Sequence, residues 1–430
     1  MTDVNTLNLW YEQQLVGNLW NNDLDRIGFR YSENWLKSQS RFPISLRLPL
    51  QEEDFSSDGK TAHRFFSNLL PEGQARTNII SSLRIPNSDF SLLKAIGGEC
   101  AGAFNILPHM LEPELRENWE YTSFTGERLE ALVTQRGQGF SFRNSKNEPI
   151  RMSLAGAQNK CPILVRGGDY FLPKNEAPTT HILKFQTANF SHVPAYETIL
   201  MKLAKSVGML VASIELRGLN GLPGNNPNES FVEIQRYDRV SDDEGNIHRL
   251  HQEDFCQALG YGYEEKYQAD GGPSFSDCLN LIREKSDEPT IDAEALINWQ
   301  IFNLLAGNSD GHAKNLSILY SNDNSLSLAP FYDLLCTRAI KGIASDLAFS
   351  IGGEYNPGNI YKQNWEEFAK ELDISLRFLL NTVGDLIEKV LDTLPEVMQE
   401  FKDSYGEYNA LQRVEQVIRS QCRRTRTSLN

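Results

Sequence analysis

The spacing of apolar residues changes once along the second half of the chain, near residue 256, and that change limits the fold more than any other feature. From about 151 to 255 apolar residues come in short, strand-like runs. "KCPILVRGGDYFLPK" predicts a hairpin turning at Gly167–Gly168, and "THILKF" a strand. "VASIELRG" and "SFVEIQRYDRV" predict two more strands joined by the loop "LNGLPGNNPNE". One amphipathic helix, "AYETILMKLAKSVGM", interrupts them and ends at Gly208. After 256 the spacing is helical. "AEALINWQIFNLLAG" is apolar almost all round, which predicts a buried helix, and "SLRFLLNTVGDLIEKVLDTL" and "LQRVEQVIRSQCRR" close the chain. Strands followed by helices in separate runs predict an α+β protein.

The first 110 residues form a third region. "LNLWYEQQLVGNLW" predicts two strands about a Gln13–Gln14 turn, followed by the strand-like "RIGFRYS" and "PISLRLPL". "HRFFSNLLPEGQARTNIISSL" and "DFSLLKAIGGECAGAF" are helical in spacing, the second broken by its Gly pair. Three stretches are therefore expected: 1–110, 111–255 and 256–430.

Composition excludes several classes. With a net charge of −15 the chain is repelled by phosphate backbones on average, so direct nucleic-acid binding is not expected. The exception is the tail, where Arg419, Arg423, Arg424 and Arg426 cluster; a solvated helix end explains them as well. No run approaches the roughly 20 apolar residues of a membrane span, and the N-terminus lacks a secretory signal. The six cysteines form no CxxC pair, so neither a zinc site nor a disulfide framework is expected, and the cytoplasm is the expected compartment.

The chemistry concentrates in "AGNSDGHAKNLSILY", directly after the predicted buried helix. Asp310 and Asn315 are five residues apart in a turn, a predicted hairpin over 316–333 follows, and Asp333 lies at its end in "FYD". Asp-x4-Asn, a hairpin and then Asp is the arrangement of a phosphotransfer loop. One Asp accepts the acceptor hydroxyl's proton, and the Asn oxygen with the second Asp suits magnesium, a hard ion that prefers oxygen ligands. Such a site also needs a lysine near the phosphates. Lys184 ends the strand "THILK", and is equally read as a surface lysine at a strand end. "SLAGAQNK" offers Ala155, Gly156 and Ala157, small enough for backbone N–H groups to approach phosphate, although it also reads as a plain connecting turn. Glu197, on the following helix, is either a partner for Lys184 or an exposed charge. His312 lacks a second His or Cys nearby, so it is expected to orient Asp310, touch phosphate or hold the loop, not to bind metal.

Taken together, "SLAGAQNK", "PTTHILKF", "GNSDGHAKNLSIL" and "LAPFYDLL" resemble the HipA family of serine/threonine kinase toxins from bacterial toxin–antitoxin modules. "NLLPEGQAR", "LLKAIGGECAGAF", "HQEDFCQALG" and "KYQADGGP" extend the resemblance to nearly the whole chain. It implies a protein-kinase-like, two-lobed fold. An α/β part carries an extra N-terminal subdomain, 1–110, and a nucleotide lobe, 111–255; an all-helical part, 256–430, carries the catalytic loop. It implies Asp310 as catalytic residue, Asn315 and Asp333 as Mg2+ ligands, and Lys184 as the nucleotide lysine. Leu154, Ala155, Gly156, Ala157, Gln158 and Lys160 would cover the ATP phosphates, with His312, Lys314 and Tyr332 near the nucleotide. Gln235, Tyr237 and Asp238 match the hinge beside adenine and ribose; the family commonly has Glu where Gln235 stands. Ser153 matches a serine that can be autophosphorylated.

The resemblance further implies a small helix-turn-helix, HipB-like antitoxin as partner, operator DNA reached mostly through it, and a protein substrate of the translation machinery, of the aminoacyl-tRNA synthetase class, whose phosphorylation arrests growth. Two alternatives are a small-molecule kinase of the aminoglycoside type and a pseudokinase acting only as an antitoxin-bound co-repressor.

Overall fold

Strand alternation in the first thirty residues closes into an antiparallel sheet. Its order is Ile27–Tyr31, Gln14–Asn21, Thr6–Tyr11 and Phe104–Pro108, with the first turn at Glu12–Gln13, one residue before the expected position. The computed structural model describes residues 6–56, 59–138, 151–152, 155–156, 158–187, 189–321 and 325–429. The chain builds two compact units. Unit 1 comprises Met1–Lys184, Arg236–Glu264 and Ile318–Ser325; unit 2 comprises Phe185–Gln235, Glu265–Ser317 and Leu326–Asn430. Each is assembled from three separated stretches, which a linear division of the sequence does not express. Among the described residues no helix is long and apolar enough to cross a membrane.

In unit 1 the first sheet packs on Trp35, Phe66, Leu92, Leu93 and Ile96, all essentially without solvent contact. The helical stretch around residue 70 is two helices, Thr61–Ser67 and Gly73–Leu83. Pro71 supplies no N–H, and Glu72 is extended at φ −116°, so one continuous helix cannot form. "PISLRLPL" is not a strand either. Pro43 and Pro49 remove ladder donors, and only an isolated Ser45–Leu48 bridge forms. Its polar groups are met from a distance. The Tyr31 hydroxyl donates to Leu48 O (2.5 Å) and accepts from Ile44 N–H (2.9 Å), while Glu253 accepts from Ser45 Oγ (2.6 Å) and Leu46 N–H (3.0 Å).

Glu253 is 1% exposed and also accepts from Tyr320 (2.5 Å). Burial pushes its carboxyl up from 4.5 to about 7, against the pull of the Ser45 and Tyr320 hydroxyls. The raised value sets the sign. Below pH 4.5 the carboxyl is neutral whether the chain is folded or not. Above that only the unfolded chain ionises freely, so stability falls as pH rises toward 7, by about 3 kcal/mol in all. Denaturant midpoints measured from pH 5 to 8 check this: Glu253→Gln should lack that decline, and a slope equal to the parent's would refute it. Burial also depresses His251, to about 4, but that contribution is common to both proteins and cancels.

The second sheet of unit 1 runs Tyr121–Ser123, Asp169–Pro173, Lys160–Arg166, His181–Phe185. Its expected hairpin turns at Gly167–Gly168, φ +62° and +88°, values suited to a tight primed turn. Beside it lies a buried ion cluster that the sequence reading did not foresee. Glu99 Oε1 receives Arg236 and Arg239 (both 3.0 Å), and Arg249 pairs with Oε2 at 2.8 Å.

In unit 2 the helix Val193–Ser206, the hairpin Ile214–Gly218/Ser230–Gln235 and the helices Pro289–Ala306, Leu376–Tyr405 and Leu411–Ser428 follow the predicted pattern, and Phe275–Lys285 and Lys362–Glu371 are further helices. The helix Pro289–Ala306 is buried along Trp299, Phe302, Leu304 and Leu305, as its all-round apolar character requires. Leu376–Tyr405 continues through Pro395, beyond the stretch expected from the pattern. Val397, Phe401 and Tyr405 extend its buried face, and the Tyr405 hydroxyl ends on Glu215 (2.5 Å), offsetting the proline's cost. The tail arginines sit on the helix Leu411–Ser428: Arg419 pairs with Glu415, Arg426 with Glu388, and Arg424 donates to Gly358 O (3.2 Å). All six cysteines are buried, and none of them forms a disulfide.

Candidate active site

The helix Pro289–Ala306 ends because Gly307 turns left-handed, φ +71°. The next residues are fixed one at a time. Asn308 donates to Asn303 Oδ1 (2.9 Å) and accepts from Asp310 N–H (3.1 Å). Ser309 bonds to Thr337 (2.7 Å) and donates to Ala344 O (2.8 Å). A short 3-10 turn, Ala313–Asn315, then brings Asn315 back, and its Nδ2 donates to Asp310 O at 2.9 Å. With that nitrogen engaged, Oδ1 is the atom Asn315 offers a cation. Asn308, His312, Lys314 and Asn315 are buried, while the Asp310 side chain is 49% exposed. The loop therefore presents one carboxylate on a rigid, buried frame. That carboxylate accepts at Oδ1 from the Tyr267 hydroxyl, at 2.5 Å.

His312 lies behind it, Nε2 3.8 Å from Asp310 Oδ1, its ring edge-to-face with Tyr267 at 5.0 Å. Burial pushes its imidazole down to about 3; the Lys266 and Lys314 charges add to this and Asp333 opposes it. It is neutral at physiological pH, so it brings a hydrogen-bonding ring and no charge.

Asp333 arrives on the expected hairpin, whose strands meet where Ala329 N–H donates to Ser317 O (2.9 Å). Phe331 is tied to Leu210 and Ala212 by two backbone bonds of 2.9 Å. The Tyr332 hydroxyl lies 2.9 Å from Ser317 Oγ and donates to Lys314 O (3.1 Å), which fastens the end of the hairpin to the 308–315 loop. Asp333 itself is left-handed, φ +59°, a conformation that Asp tolerates better than most side chains. Unit 2 thus gathers Asp310, His312, Lys314, Asn315, Tyr332 and Asp333. An Asn oxygen and an Asp carboxylate fit magnesium, which keeps several waters and takes further oxygens from substrate phosphates. Among the described residues no group of three or more His, Cys, Asp or Glu could hold a metal, which a two-ligand site of this kind does not require. Gln235, also in unit 2, is exposed at its strand end, its N–H on Ser213 O (2.9 Å).

Glu197, also in unit 2, is buried and so is not an exposed charge, and unit 1 holds the remaining sequence-derived residues. Lys184 is 4% exposed and stands opposite Lys160 on the neighbouring strand. Two cations directly opposed on one sheet are unfavourable unless an anion or acceptor sits with them. The Lys160 ammonium donates to Ala155 O (2.8 Å), and Gly156 has φ +111°. The small-residue loop is pinned on both sides: Glu99 N–H donates to Arg151 O (2.8 Å) before it, and Glu72 N–H to Gly156 O (3.0 Å) within it. Ser153, Leu154 and Ala157 lie outside the described residues. Tyr237 is half-buried and its hydroxyl donates to Gln252 Oε1.

Asp238, expected beside the ribose, is placed differently. Its carboxylate is buried, bonded to Arg236 (2.9 Å), Arg239 (3.0 Å), Gly102 N–H (2.9 Å) and Gln252 (3.0 Å). Against the upward push of burial, Arg236 and Arg239 hold it well below the usual carboxylate range. These bonds give it an architectural role, as part of the Glu99 ion cluster. Tyr267 was the residue the sequence reading passed over. "KYQADGGP" carries part of the family resemblance, but nothing in its spacing ties it to Asp310.

Known proteins resemble this chain over most of its length. The model of the HipA-like C-terminal domain matches residues 152–398, and that of the HipA N-terminal domain residues 7–107. The Sinorhizobium fredii protein Y4mE is 37% identical over 413 residues, 94% of each chain. The serine/threonine-protein kinase toxin HipA of Shewanella oneidensis is 27% identical over 408 residues, 91% of this chain and 89% of that one. A solved complex of Shewanella oneidensis HipA with HipB and operator DNA contains a chain that superposes with a TM-score of 0.78 at 25% identity, covering 97% of both.

Proposed function

The chain belongs to the HipA family, and from that premise we propose that it is a magnesium- and ATP-dependent protein serine/threonine kinase, the toxin of a toxin–antitoxin pair. The observation that carries the reading is the loop at 308–315, in which a half-exposed Asp310 stands on a buried frame with the Asn315 amide locked to its carbonyl. Asp310 takes the proton of an acceptor hydroxyl as its oxygen bonds to the γ-phosphorus and the bond to the ADP oxygen breaks. Lys184, Lys160 and the backbone of residues 154–158 position the phosphates. His312, Lys314 and Tyr332 line the nucleotide, with Gln235 and Tyr237 at the adenine end. Asn315 and Asp333 hold the magnesium ion, which when bound neutralises the charge on the phosphate oxygens.

The substrate is a protein of translation, of the aminoacyl-tRNA synthetase class, and its modification arrests growth in the cytoplasm. The partner is a small HipB-like antitoxin that carries this acidic chain to operator DNA. Intrachain partners of Arg419, Arg424 and Arg426 support indirect DNA contact over contact by the tail. Incubation of the protein with labelled ATP and a bacterial lysate tests the reading. Label on a lysate protein is expected; label on small molecules alone overturns it.

Ser153 is the self-inactivation site in this proposal. A phosphate there adds about −1.5 to −2 charge beside the loop that cradles the ATP phosphates, and so repels them. Ser153→Ala should transfer phosphate at the parental initial rate and keep that rate during long incubation with ATP. A progress curve that decays as fast as the parent's places the switch elsewhere.

A further inference from the structure

The segment "EKYQADGGP", residues 265–273, has no part in the proposed function, yet it reaches the carboxylate on which transfer depends. It is folded tightly on itself: Gly271 N–H donates to Gln268 O (3.1 Å) and Gly272 N–H to Tyr267 O (3.0 Å). A Cβ on Gly272 would run into the carbonyl oxygens of Glu265 and Tyr267, so the closure requires glycine there. Gln268 fixes the turn to the helical body. Its N–H donates to Ala348 O (3.3 Å), its Nε2 to Ser350 Oγ (3.1 Å), and its Oε1 accepts from Ser350 N–H (3.0 Å). Tyr267 therefore projects from a rigid bracket. Its ring packs edge-on against His312, the Lys266 ammonium lies 5.7 Å from its centroid, and its hydroxyl donates to Asp310 Oδ1.

We propose that Tyr267 is a positioning residue of the phosphotransfer site. Its hydroxyl holds Asp310 Oδ1, fixes the carboxylate in one rotamer and assigns Oδ2 to the acceptor hydroxyl. The proposal rests on the kinase reading. A half-exposed aspartate has two soft side-chain torsions, and the Tyr267 hydroxyl adds a hold on the carboxylate to the loop's hold on the backbone, where Asp310 O accepts from His312 N–H (3.0 Å) and from Asn315 Nδ2 (2.9 Å). A catalytic group displaced by about 1 Å costs on the order of 100-fold in rate.

Tyr267→Phe keeps the ring against His312 and under Lys266 and removes only the donor. The expected result is a fall in kcat of about 10- to 100-fold, with KM for ATP unchanged and a single cooperative unfolding transition retained. Incorporation of 3-fluorotyrosine at 267, which restores a hydroxyl, returns kcat toward the parental value. A kcat within about twofold of the parent for Tyr267→Phe, or a loss that appears in KM and is not restored by fluorotyrosine, overturns the proposal. A second measurement needs no activity. In a cycle of Tyr267→Phe, Asp310→Ala and the double variant, the effects on unfolding free energy are non-additive if the hydroxyl holds the carboxylate, and additive if it does not. An absence of transfer in the parent defeats the kinase reading, while this cycle still decides on Tyr267.

Discussion

Asp310→Asn abolishes detectable phosphotransfer and leaves a folded protein that binds nucleotide as the parent does. The substitution keeps the shape of the side chain and removes its basicity. The frame does not depend on the charge. Asp310 N–H is held by Asn308 and Asp310 O by His312 N–H and Asn315 Nδ2, all through backbone atoms of residue 310. An amide oxygen at Oδ1 still accepts from Tyr267. Because the side chain is 49% exposed, no core cavity opens. What is lost is the group that accepts the acceptor proton, on the order of 10²- to 10⁴-fold in rate. Labelled-ATP transfer, nucleotide titration and thermal unfolding check the three parts. Transfer above about a tenth of the parental rate in a folded variant assigns the base role to another residue.

The turn that carries that loop was legible in the sequence because the signals that announce it are local. The buried helix, the Gly307 stop, the five-residue step from Asp310 to Asn315 and the hairpin to Asp333 all lie within one short stretch. The Gly167–Gly168 hairpin was readable for the same reason. What the sequence concealed depends on partners far away. "PISLRLPL" alternates like a strand, but its prolines deny it a ladder, and Glu253, 208 residues from Ser45, takes its polar groups instead. Tyr267 lies 43 residues before Asp310 in a segment whose visible feature is a glycine pair. Asp238 looked like a ligand residue because it falls in a hinge-like motif. Only the folded unit brings Arg236, Arg239 and Glu99 together around it. Pro395 looked like a helix end, and the buried Val397, Phe401 and Tyr405 after it overrule the proline.

Asp333 carries the second large effect, and its backbone allows charge and conformation to be tested separately. At φ +59° the residue lies in the left-handed region, which Asn tolerates about as well as Asp and which a β-branched residue enters only at a cost of about 1–3 kcal/mol. Asp333→Asn therefore keeps the turn, and with it the Tyr332 bond to Lys314 O that fastens the hairpin to the catalytic loop. It also leaves His312 neutral. The Asp333 charge raises the imidazole pKa, so removing it only takes that value further from the physiological range. The substitution removes a full negative charge from the proposed cation site. A metal's electrostatic contribution is worth several kcal/mol, so transfer should fall about 1,000-fold at fixed magnesium. Raising the magnesium concentration should recover part of it. Thermal unfolding should be parental for Asp333→Asn and lowered for Asp333→Val, whose transfer is also lost. If the Asn variant keeps more than about a tenth of the parental rate, Asp333 is not a magnesium ligand. If it melts as early as the Val variant, its carboxylate is holding the fold together rather than a cation.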